Sequence, residues 1–291
     1  MATSNSEAQF RQLLQQRLPA VNTAGCHFSL VEGLTGESWR IESDNVPLLA
    51  RPQTREKQAL GVSRRREGRV LKRSGQGIGP QVLLRCHDWL VVEWLEGEKV
   101  SESAFTALNT GGELAALTAR LHKQPLSGYR LDLQLQFAAY WPLIDRRRMT
   151  PAWLAWQHYF TQRKMPNPLM MAPLHMDIHA GNLVKQGQRL RLIDWEYAAD
   201  GDIALELAAL FRFNQFPPHQ QRLFLRHYTQ QGYADLPQLV LQVQRWLPWV
   251  DYLMLMWFEV RWQQCRDPAF LLWGAALYQR FCLSSVLPGN Q

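Results

Sequence analysis

The sequence has few cysteines, and their spacing excludes two kinds of small protein. The four cysteines are Cys26, Cys86, Cys265 and Cys282, and no two of them form a C-x-x-C pair. This spacing argues against a disulfide framework and against a zinc finger, and it favours a reducing compartment. Long apolar runs are also missing, because the longest, Tyr252–Phe258, is far shorter than the ~20 residues of a membrane span. The first ten residues are polar and lack the apolar stretch of a signal peptide. The sequence therefore predicts a cytoplasmic protein.

Aromatic residues and positive charges are plentiful by contrast. Of the 291 residues 46% are apolar and 11% are aromatic, including 12 Trp. Unfolded chains carry far fewer aromatic residues, so we expect one large folded domain or two modest ones. The 32 Lys and Arg outnumber the 25 Asp and Glu, which gives a net charge of +7. This charge favours an anionic partner such as a nucleotide, a nucleic acid or a membrane surface, but it selects none of them.

The pattern of predicted elements changes near Gly97. Before that point a helix is predicted over 6–18 and a basic helix over 63–72. Short strands are predicted over 28–31, 38–41, 46–50, 82–85 and 89–94. Pro47 either places the third of these strands at a sheet edge or delays its start. Beyond Gly97 helices dominate, with strands only in a hairpin over 183–193. We therefore predict an α+β fold of two lobes, 1–96 and 97–291, with a ligand cleft between them.

The most informative pattern is an aspartate, an asparagine five positions later and a second aspartate after the hairpin. These residues are Asp177, Asn182 and Asp194. The hairpin would bring Asn182 and Asp194 together at its open end, where their oxygens suit Mg²⁺ bound with substrate phosphates. Asp177 is then available to orient and deprotonate a hydroxyl group. This is the division of labour in kinase-type phosphoryl transfer.

Two other interpretations of this segment stay open. Asp177 and Asn182 are also common turn formers, and His175 and His179 could be surface histidines whose hydrogen bonds are satisfied. A zinc site formed by His175, Asp177 and His179 is the second alternative, because alternate residues of a strand can converge on one metal. No fourth ligand for such a site is evident.

The segments His175–Asn182, Ile193–Tyr197 and Gly201–Ala204 resemble the aminoglycoside phosphotransferase and choline kinase family. Within that family the sequence of these segments is most similar to the bacterial branch that phosphorylates thiamine. The resemblance implies a protein-kinase-like bilobal fold, with a small mixed β-rich N-terminal lobe and a larger, mostly helical C-terminal lobe. It implies an enzyme that uses ATP and Mg²⁺ to phosphorylate the hydroxyl group of thiamine in vitamin salvage. A monomer is expected. Neither a nucleic acid nor a membrane is expected as a partner.

The same resemblance implies roles for single residues of the second lobe. Asp177 matches the catalytic base, while Asn182 and Asp194 match the magnesium ligands. His175 and Asp202 match residues that support the catalytic loop, and Asp202 would do so by accepting hydrogen bonds from backbone N–H groups.

In the first lobe the resemblance implies an ATP site from shorter signals. Gly33 and Gly36 lie where a glycine loop would cover the phosphates, although an ordinary turn explains them nearly as well. Arg51 stands where the family usually has a strand lysine; it keeps the charge and can bind phosphate bidentately, but it is longer. Glu67 would be its ion-pair partner, with a solvated helix face as the alternative. The segment Glu93–Leu95 resembles the interlobe hinge, whose backbone would bind adenine.

Tryptophans are the candidates for the acceptor site, because thiamine carries a cationic thiazolium ring and an aminopyrimidine ring. Each cation–π contact would contribute ~0.5–2 kcal/mol. Trp195 directly follows a predicted metal ligand, and Trp246 and Trp249 would share one face of a helix. Pro248 is compatible with such a helix only if the proline lies near the helix start. The alternative is that these rings form a core stripe.

Other functions stay open at this point. The acceptor could be choline or an aminoglycoside, or the chain could be a catalytically silent kinase-like binding module. Nucleic-acid binding would rest on the basic run 64–73 and on the net charge. Asp251 or Glu259 could offer negative charge to a cationic acceptor, with a solvated surface as the alternative.

Overall fold

The computed structural model describes residues 2–18, 26–31, 38–42, 47–233 and 235–283. The described strands are β1 His27–Leu30, β2 Trp39–Glu42, β3 Leu48–Pro52, β4 Val82–Arg85, β5 Trp89–Glu93, β6 Glu98–Lys99, β7 Met171–Leu174, β8 Leu183–Gln186, β9 Arg189–Leu192 and β10 Ala199–Asp202. The described α-helices are α1 Ala2–Arg17, α2 Arg55–Ala59, α3 Arg64–Ser74, α4 Glu102–Gly111, α5 Glu113–His122, α6 Leu133–Tyr140, α7 Pro151–Gln162, α8 Ile203–Phe213, α9 Pro218–Thr229, α10 Leu236–Cys265 and α11 Pro268–Leu283.

The strands of the N-terminal part form one antiparallel sheet in the order β1-β2-β3-β5-β4. Strand β3 lies in the interior of this sheet and begins at Leu48, directly after Pro47. Proline therefore delays the strand and does not place it at an edge, because it stands outside the paired residues. One face of the sheet packs against α1, where the rings of Phe10 and Trp89 stack with their centroids 4.1 Å apart.

Helix α3 begins after Ser63 and ends before Gly75, and both residues form capping hydrogen bonds. Ser63 Oγ accepts a hydrogen bond from Arg66 N at 3.3 Å, and Gly75 N donates to Leu71 O at 2.9 Å. Val70 and Leu71 of this helix are buried, and the helix contacts β4 and β5. The predicted basic helix is therefore confirmed.

Helices dominate after Gly97, but strands are more frequent there than the sequence analysis predicts. The hairpin of β8 and β9 is confirmed, with Leu183 opposite Leu192. Strand β6 extends this hairpin to a three-stranded sheet, and β7 pairs with β10. Strand β10 has the sequence Ala-Asp-Gly-Asp, whose residues rarely favour strands, so only its pairing with β7 reveals it.

Helix α10 continues through Pro248 and contacts both α8 and α11. The expectation that Pro248 marks a helix start is therefore wrong. An internal proline costs about 3 kcal/mol or more, and tertiary packing of the aromatic residues around it offsets that cost. The ring of Phe160 stacks on Tyr252 at 4.5 Å and packs edge to face against Trp249 at 5.2 Å.

One hydrophobic core runs through both parts of the chain. Val70 and Leu90 of the N-terminal part belong to the same cluster of buried residues as Leu174 and Leu192. The two parts thus share packed side chains across the predicted division near Gly97. Among the described residues, no helix is both long and apolar enough to cross a membrane.

Gly79→Ala is expected to lower the melting temperature. A Cβ at Gly79 would lie 2.7 Å from atoms of Trp195 and Leu71. The indole cannot move away, because it is fully buried and its Nε1 donates to Leu192 O. Overpacking of this kind costs about 1–3 kcal/mol. Gly274→Ala is the matched control, since its neighbours stand at 3.5–3.8 Å. Equal melting temperatures for Gly79→Ala and the unmodified protein would contradict this account of the packing.

Candidate active site

The loop after β7 holds Asp177 and Asn182 against each other. Asn182 Nδ2 donates to Asp177 Oδ2 at 2.8 Å and to the Asp177 carbonyl at 2.9 Å. Because the amide nitrogen is used in this way, the amide oxygen is the atom of Asn182 that can bind a cation. Met176, just before Asp177, has a φ of +65°, which non-glycine residues rarely adopt. Backbone strain of this kind clusters at functional sites.

The hairpin brings Asp194 beside Asn182. Ile193 N donates to Asn182 O at 2.9 Å, so the next residue, Asp194, follows at the open end of the hairpin. Asp194 also has a positive φ, +61°, and its side chain is 36% exposed. A carboxylate and an amide oxygen at one end of a hairpin are the hard ligands that Mg²⁺ prefers.

His179 lies next to Asp177, with its Nε2 3.7 Å from Asp177 Oδ1. Burial by itself would lower the pKa of His179, but the nearby carboxylate of Asp177 outweighs burial and raises the pKa. The zinc alternative is not supported. Within the part of the chain that the structure describes, no three His, Cys, Asp or Glu side chains are arranged to hold a metal. His175 is directed elsewhere, with its Nε2 2.9 Å from Ile193 O.

A buried carboxylate on α8, Glu206, holds the backbone of this loop from the other side. It accepts hydrogen bonds from His175 N at 2.8 Å and from Met176 N at 2.6 Å. His122 Nε2 lies 3.2 Å from the same carboxylate. Burial alone would raise the pKa of Glu206, but its contacts with His122 and His175 outweigh burial and lower it. His175 itself is fully buried and packs edge to face against Trp195 at 5.2 Å.

Asp202 accepts hydrogen bonds from backbone N–H groups that lie outside the loop holding Asp177. Its carboxylate accepts hydrogen bonds from two backbone N–H groups, those of Met170 and Ala204, both at 3.3 Å. It accepts two more from Gln242 Nε2 at 2.8 Å and Trp246 Nε1 at 2.7 Å. Asp202 therefore accepts from backbone N–H groups, as predicted, but the N–H groups of His175 and Met176 in the loop donate to Glu206. Asp202 is the N-cap of α8 and lies away from the loop, whereas Glu206, four residues later, faces it.

Arg51 lies between the N-terminal sheet and the segment after β9. Its Nη1 donates to Glu67 at 2.5 Å, and its Nη2 donates to Asp194 at 2.5 Å and to Glu196 at 2.9 Å. The predicted contact between Arg51 and Glu67 is therefore present. Burial by itself would lower the pKa of Arg51, but the three carboxylates outweigh burial and raise it. Burial by itself would likewise raise the pKa of Asp194, but Arg51 lowers it to about 2.

Two further cations complete this cluster, and sequence reasoning did not place them in the site. Lys57 Nζ donates to both carboxylate oxygens of Glu196, at 2.7 and 3.0 Å. Arg64 Nη1 donates to Glu67 at 2.6 Å and to Glu196 at 3.2 Å. Glu196 stands inside one motif segment and Glu206 follows another by two residues, so their positions were a usable signal. Lys57 had no such signal, because it is a single lysine on a short polar helix.

The basic run 64–73 does not form one continuous surface. Arg64 is buried, and Arg66 donates to the Glu196 carbonyl at 3.1 Å, so both side chains point between the two parts of the chain. Binding to a nucleic acid backbone requires several exposed cations side by side. This division of the run weakens the nucleic-acid interpretation.

A cavity of about 110 Å³ lies between the two parts, beside Arg51. Its walls come from β3, β5 and the segment after β5 on one side, and from the end of the hairpin on the other. Residues that the sequence analysis assigns to ATP or Mg²⁺ line it together: Arg51, Glu67, Glu93, Leu95 and Asp194. Gly33 and Gly36 lie outside the described residues.

The tryptophans predicted as acceptor walls are buried. Trp195 lines the cavity beside Arg51, and its Nε1 donates to Leu192 O at 2.8 Å. Trp246 and Trp249 are 5% and 3% exposed and pack in the core around α10. The core alternative describes Trp249, whereas Trp195 and Trp246 each line a cavity, so their contact with an acceptor stays a prediction.

The two acidic candidates for an acceptor cation are both paired with arginines. Asp251 accepts from Arg212 Nη2 at 2.8 Å, and Glu259 accepts two bonds from Arg148 at 2.7 and 2.8 Å. An arginine neutralises each carboxylate, so neither offers an uncompensated negative charge to a cationic acceptor.

The fold and this site define a phosphotransferase. The chain belongs to the phosphotransferase enzyme family, whose model matches residues 48–239. Curated relatives include the thiamine kinases of Escherichia coli O157:H7 and of Shigella sonnei strain Ss046. They are 40% and 39% identical over 239 residues, and each match covers 82% of this chain and 84% of the relative.

Solved structures with the same fold include two small-molecule kinases. Choline kinase LicA from Streptococcus pneumoniae has a TM-score of 0.73 at 18% identity, with 96% of this chain and 98% of that chain covered. An ethanolamine kinase from Plasmodium vivax has a TM-score of 0.72 at 15% identity, with 94% and 87% covered. The predicted kinase-like fold, β-rich in the N-terminal part and helical in the C-terminal part, is confirmed.

Glu206→Gln is expected to destabilise the protein by about 2–3 kcal/mol at pH 7, because a buried backbone donor loses its charged acceptor. The folded-state pKa of Glu206 lies below the ordinary value of 4.5. Its stabilising contribution is therefore fully present above about pH 4.5 and is lost as the pH falls through the lowered pKa. Urea unfolding of both proteins from pH 7 to pH 3 measures this difference.

The exposed residue Glu98 provides the matched control, Glu98→Gln. We expect this variant to match the unmodified protein at every pH. A stability loss in Glu206→Gln that stays constant down to pH 3 would show that the carboxylate charge is not what holds the loop.

Proposed function

We propose that this protein is a thiamine kinase, which transfers the terminal phosphoryl group of ATP to the hydroxyl group of thiamine. The products are thiamine monophosphate and ADP. The single observation that carries the proposal is the arrangement of Asp177, Asn182 and Asp194 around one end of the hairpin. The choice of thiamine as acceptor is supported by relatives of that name at 40% identity over most of the chain.

Asp177 is the proposed base. Its Oδ2 accepts from Asn182 while its Oδ1 faces His179, so the carboxylate is held in one orientation. In the reaction the hydroxyl oxygen of thiamine bonds to the γ-phosphorus of ATP and its proton passes to Asp177. The bond from the γ-phosphorus to the bridging oxygen breaks, and ADP leaves with that electron pair.

Asn182 and Asp194 are the proposed Mg²⁺ ligands, and their hard oxygen atoms fit that ion. The low pKa of Asp194 keeps its carboxylate ionised at neutral pH. Bound Mg²⁺ would neutralise negative charge on the phosphate oxygens. Arg51 would contact the phosphates while Glu67 holds its other nitrogen, and the backbone of Glu93–Leu95 would bind adenine.

Further features of the proposal rest on the sequence. We retain the division into a nucleotide-binding lobe, 1–96, and a catalytic lobe, 97–291. We also propose a cytoplasmic monomer without a nucleic acid or membrane partner. His175 would support the catalytic loop.

Asp177→Asn is expected to lower kcat for thiamine phosphorylation at least ~100-fold, because the amide cannot accept the hydroxyl proton. The KM for ATP should change less than about threefold, since the variant keeps the volume of the side chain and its contact with Asn182. A coupled assay for ADP measures both constants. Asp88→Asn, at an exposed position, is the control for a lost carboxylate. Activity above a tenth of the unmodified kcat in Asp177→Asn would contradict the assignment of the base.

Thiamine is expected to be the preferred acceptor. We expect the kcat/KM for thiamine to exceed that for choline and that for an aminoglycoside by at least ~100-fold. The ratio of two such values measures how much more strongly the enzyme binds one transition state than the other. Each acceptor is tested with ATP and Mg²⁺, and the phosphorylated product is identified by mass. EDTA should abolish the reaction and added Mg²⁺ should restore it. A higher ratio for choline or the aminoglycoside would assign the protein to that related activity, and no product with any acceptor would favour a silent binding module.

A further inference from the structure

Lys57 is a buried lysine that points between the two parts of the chain. It lies on the short helix α2 and is only 3% exposed. Its Nζ donates to both oxygens of Glu196, at 2.7 and 3.0 Å. Burying an ammonium group costs free energy unless a carboxylate compensates its charge, so the burial of Lys57 depends on Glu196.

Glu196 has more than one cation to bind. Its Oε2 accepts from Lys57, from Arg64 Nη1 at 3.2 Å and from Arg51 Nη2 at 2.9 Å. The same Nη2 of Arg51 donates to Asp194 at 2.5 Å. The guanidinium of Arg51 is therefore shared between a carboxylate that faces the cavity and a carboxylate buried behind it.

This sharing matters once a nucleotide enters the cavity. In the proposed function, on which this inference rests, Arg51 contacts phosphates while Asp194 faces the metal. The charge on Glu196 then competes with the phosphates for Arg51. The attraction between Glu196 and Arg51 is strong in this buried site, because little water screens it. A cation that neutralises Glu196 weakens that competition.

We infer that Lys57 is a positioning residue for the reaction: by neutralising Glu196, it keeps the Arg51 guanidinium available to the phosphates of the bound nucleotide. Lys57 donates hydrogen bonds to both carboxylate oxygens of Glu196, whereas Arg51 donates to only one of them. Lys57 therefore acts through Glu196 and Arg51 and does not need to touch the nucleotide.

The test is the variant Lys57→Met, which keeps the length of the side chain and removes its charge. We expect the Kd for ADP with Mg²⁺, measured by titration calorimetry, and the KM for ATP to rise at least tenfold. We expect kcat and the KM for the acceptor to change less than threefold. Lys72→Met, which removes an exposed lysine from α3 of the same part, is the matched control and should change none of these values.

The double variant Lys57→Met/Glu196→Gln separates positioning from structural support. It removes the competing carboxylate of Glu196 together with the ammonium group of Lys57, so no uncompensated charge is left. The inference can therefore be tested even if Lys57→Met alone does not fold. We expect its Kd for ADP to return to within threefold of the unmodified value. A double variant that binds ADP tenfold more weakly than the unmodified protein would overturn the inference, as would an unchanged Kd in a folded Lys57→Met. The calorimetric readout needs no acceptor, so it remains decisive even if thiamine proves not to be the substrate.

Discussion

The buried ion pairs around Arg51 determine how the two parts of the chain meet. Charges leave water only when opposite charges and hydrogen bonds compensate them. Arg51 comes from β3 and Lys57 from α2, whereas Asp194 and Glu196 follow β9. If the sheet and the hairpin separated, Arg51 and Glu196 would lose the partners that permit their burial. The cavity beside Arg51 therefore exists because these pairs hold its two walls together.

Buried charges also hold the catalytic loop in its unusual backbone conformation. Met176 and Asp194 both have positive φ, which persists only where the surroundings over-determine it. Glu206 accepts a hydrogen bond from Met176 N, and Arg51 donates to the carboxylate of Asp194. Each strained residue is thus bonded directly to a buried or half-buried charge. The geometry needed for phosphoryl transfer is in this way coupled to the packing of α8 on one side and of the N-terminal sheet on the other.

Local patterns predicted much of the N-terminal part and the hairpin, because caps and alternation act over a few residues. Ser63 precedes α3 and Gly75 follows it, where such residues normally flank helices, and the predicted hairpin forms with Leu183 opposite Leu192. Prediction failed where partners distant in sequence decide the outcome. Strand β10 forms only because β7 lies beside it, and Pro248 is tolerated only because α10 is packed against its neighbours.

The sequence by itself determined the chemistry: an aspartate, an asparagine and a second aspartate at spacings that predict phosphoryl transfer, in a motif that identifies the family. Only the tertiary structure decided which neighbouring carboxylate supports the loop, which tryptophans belong to the core and which lysine reaches Glu196. The reason is that residue type and local spacing define what a side chain can do. Burial and ion pairing instead depend on contacts between segments more than a hundred positions apart, as Lys57 and Glu196 are.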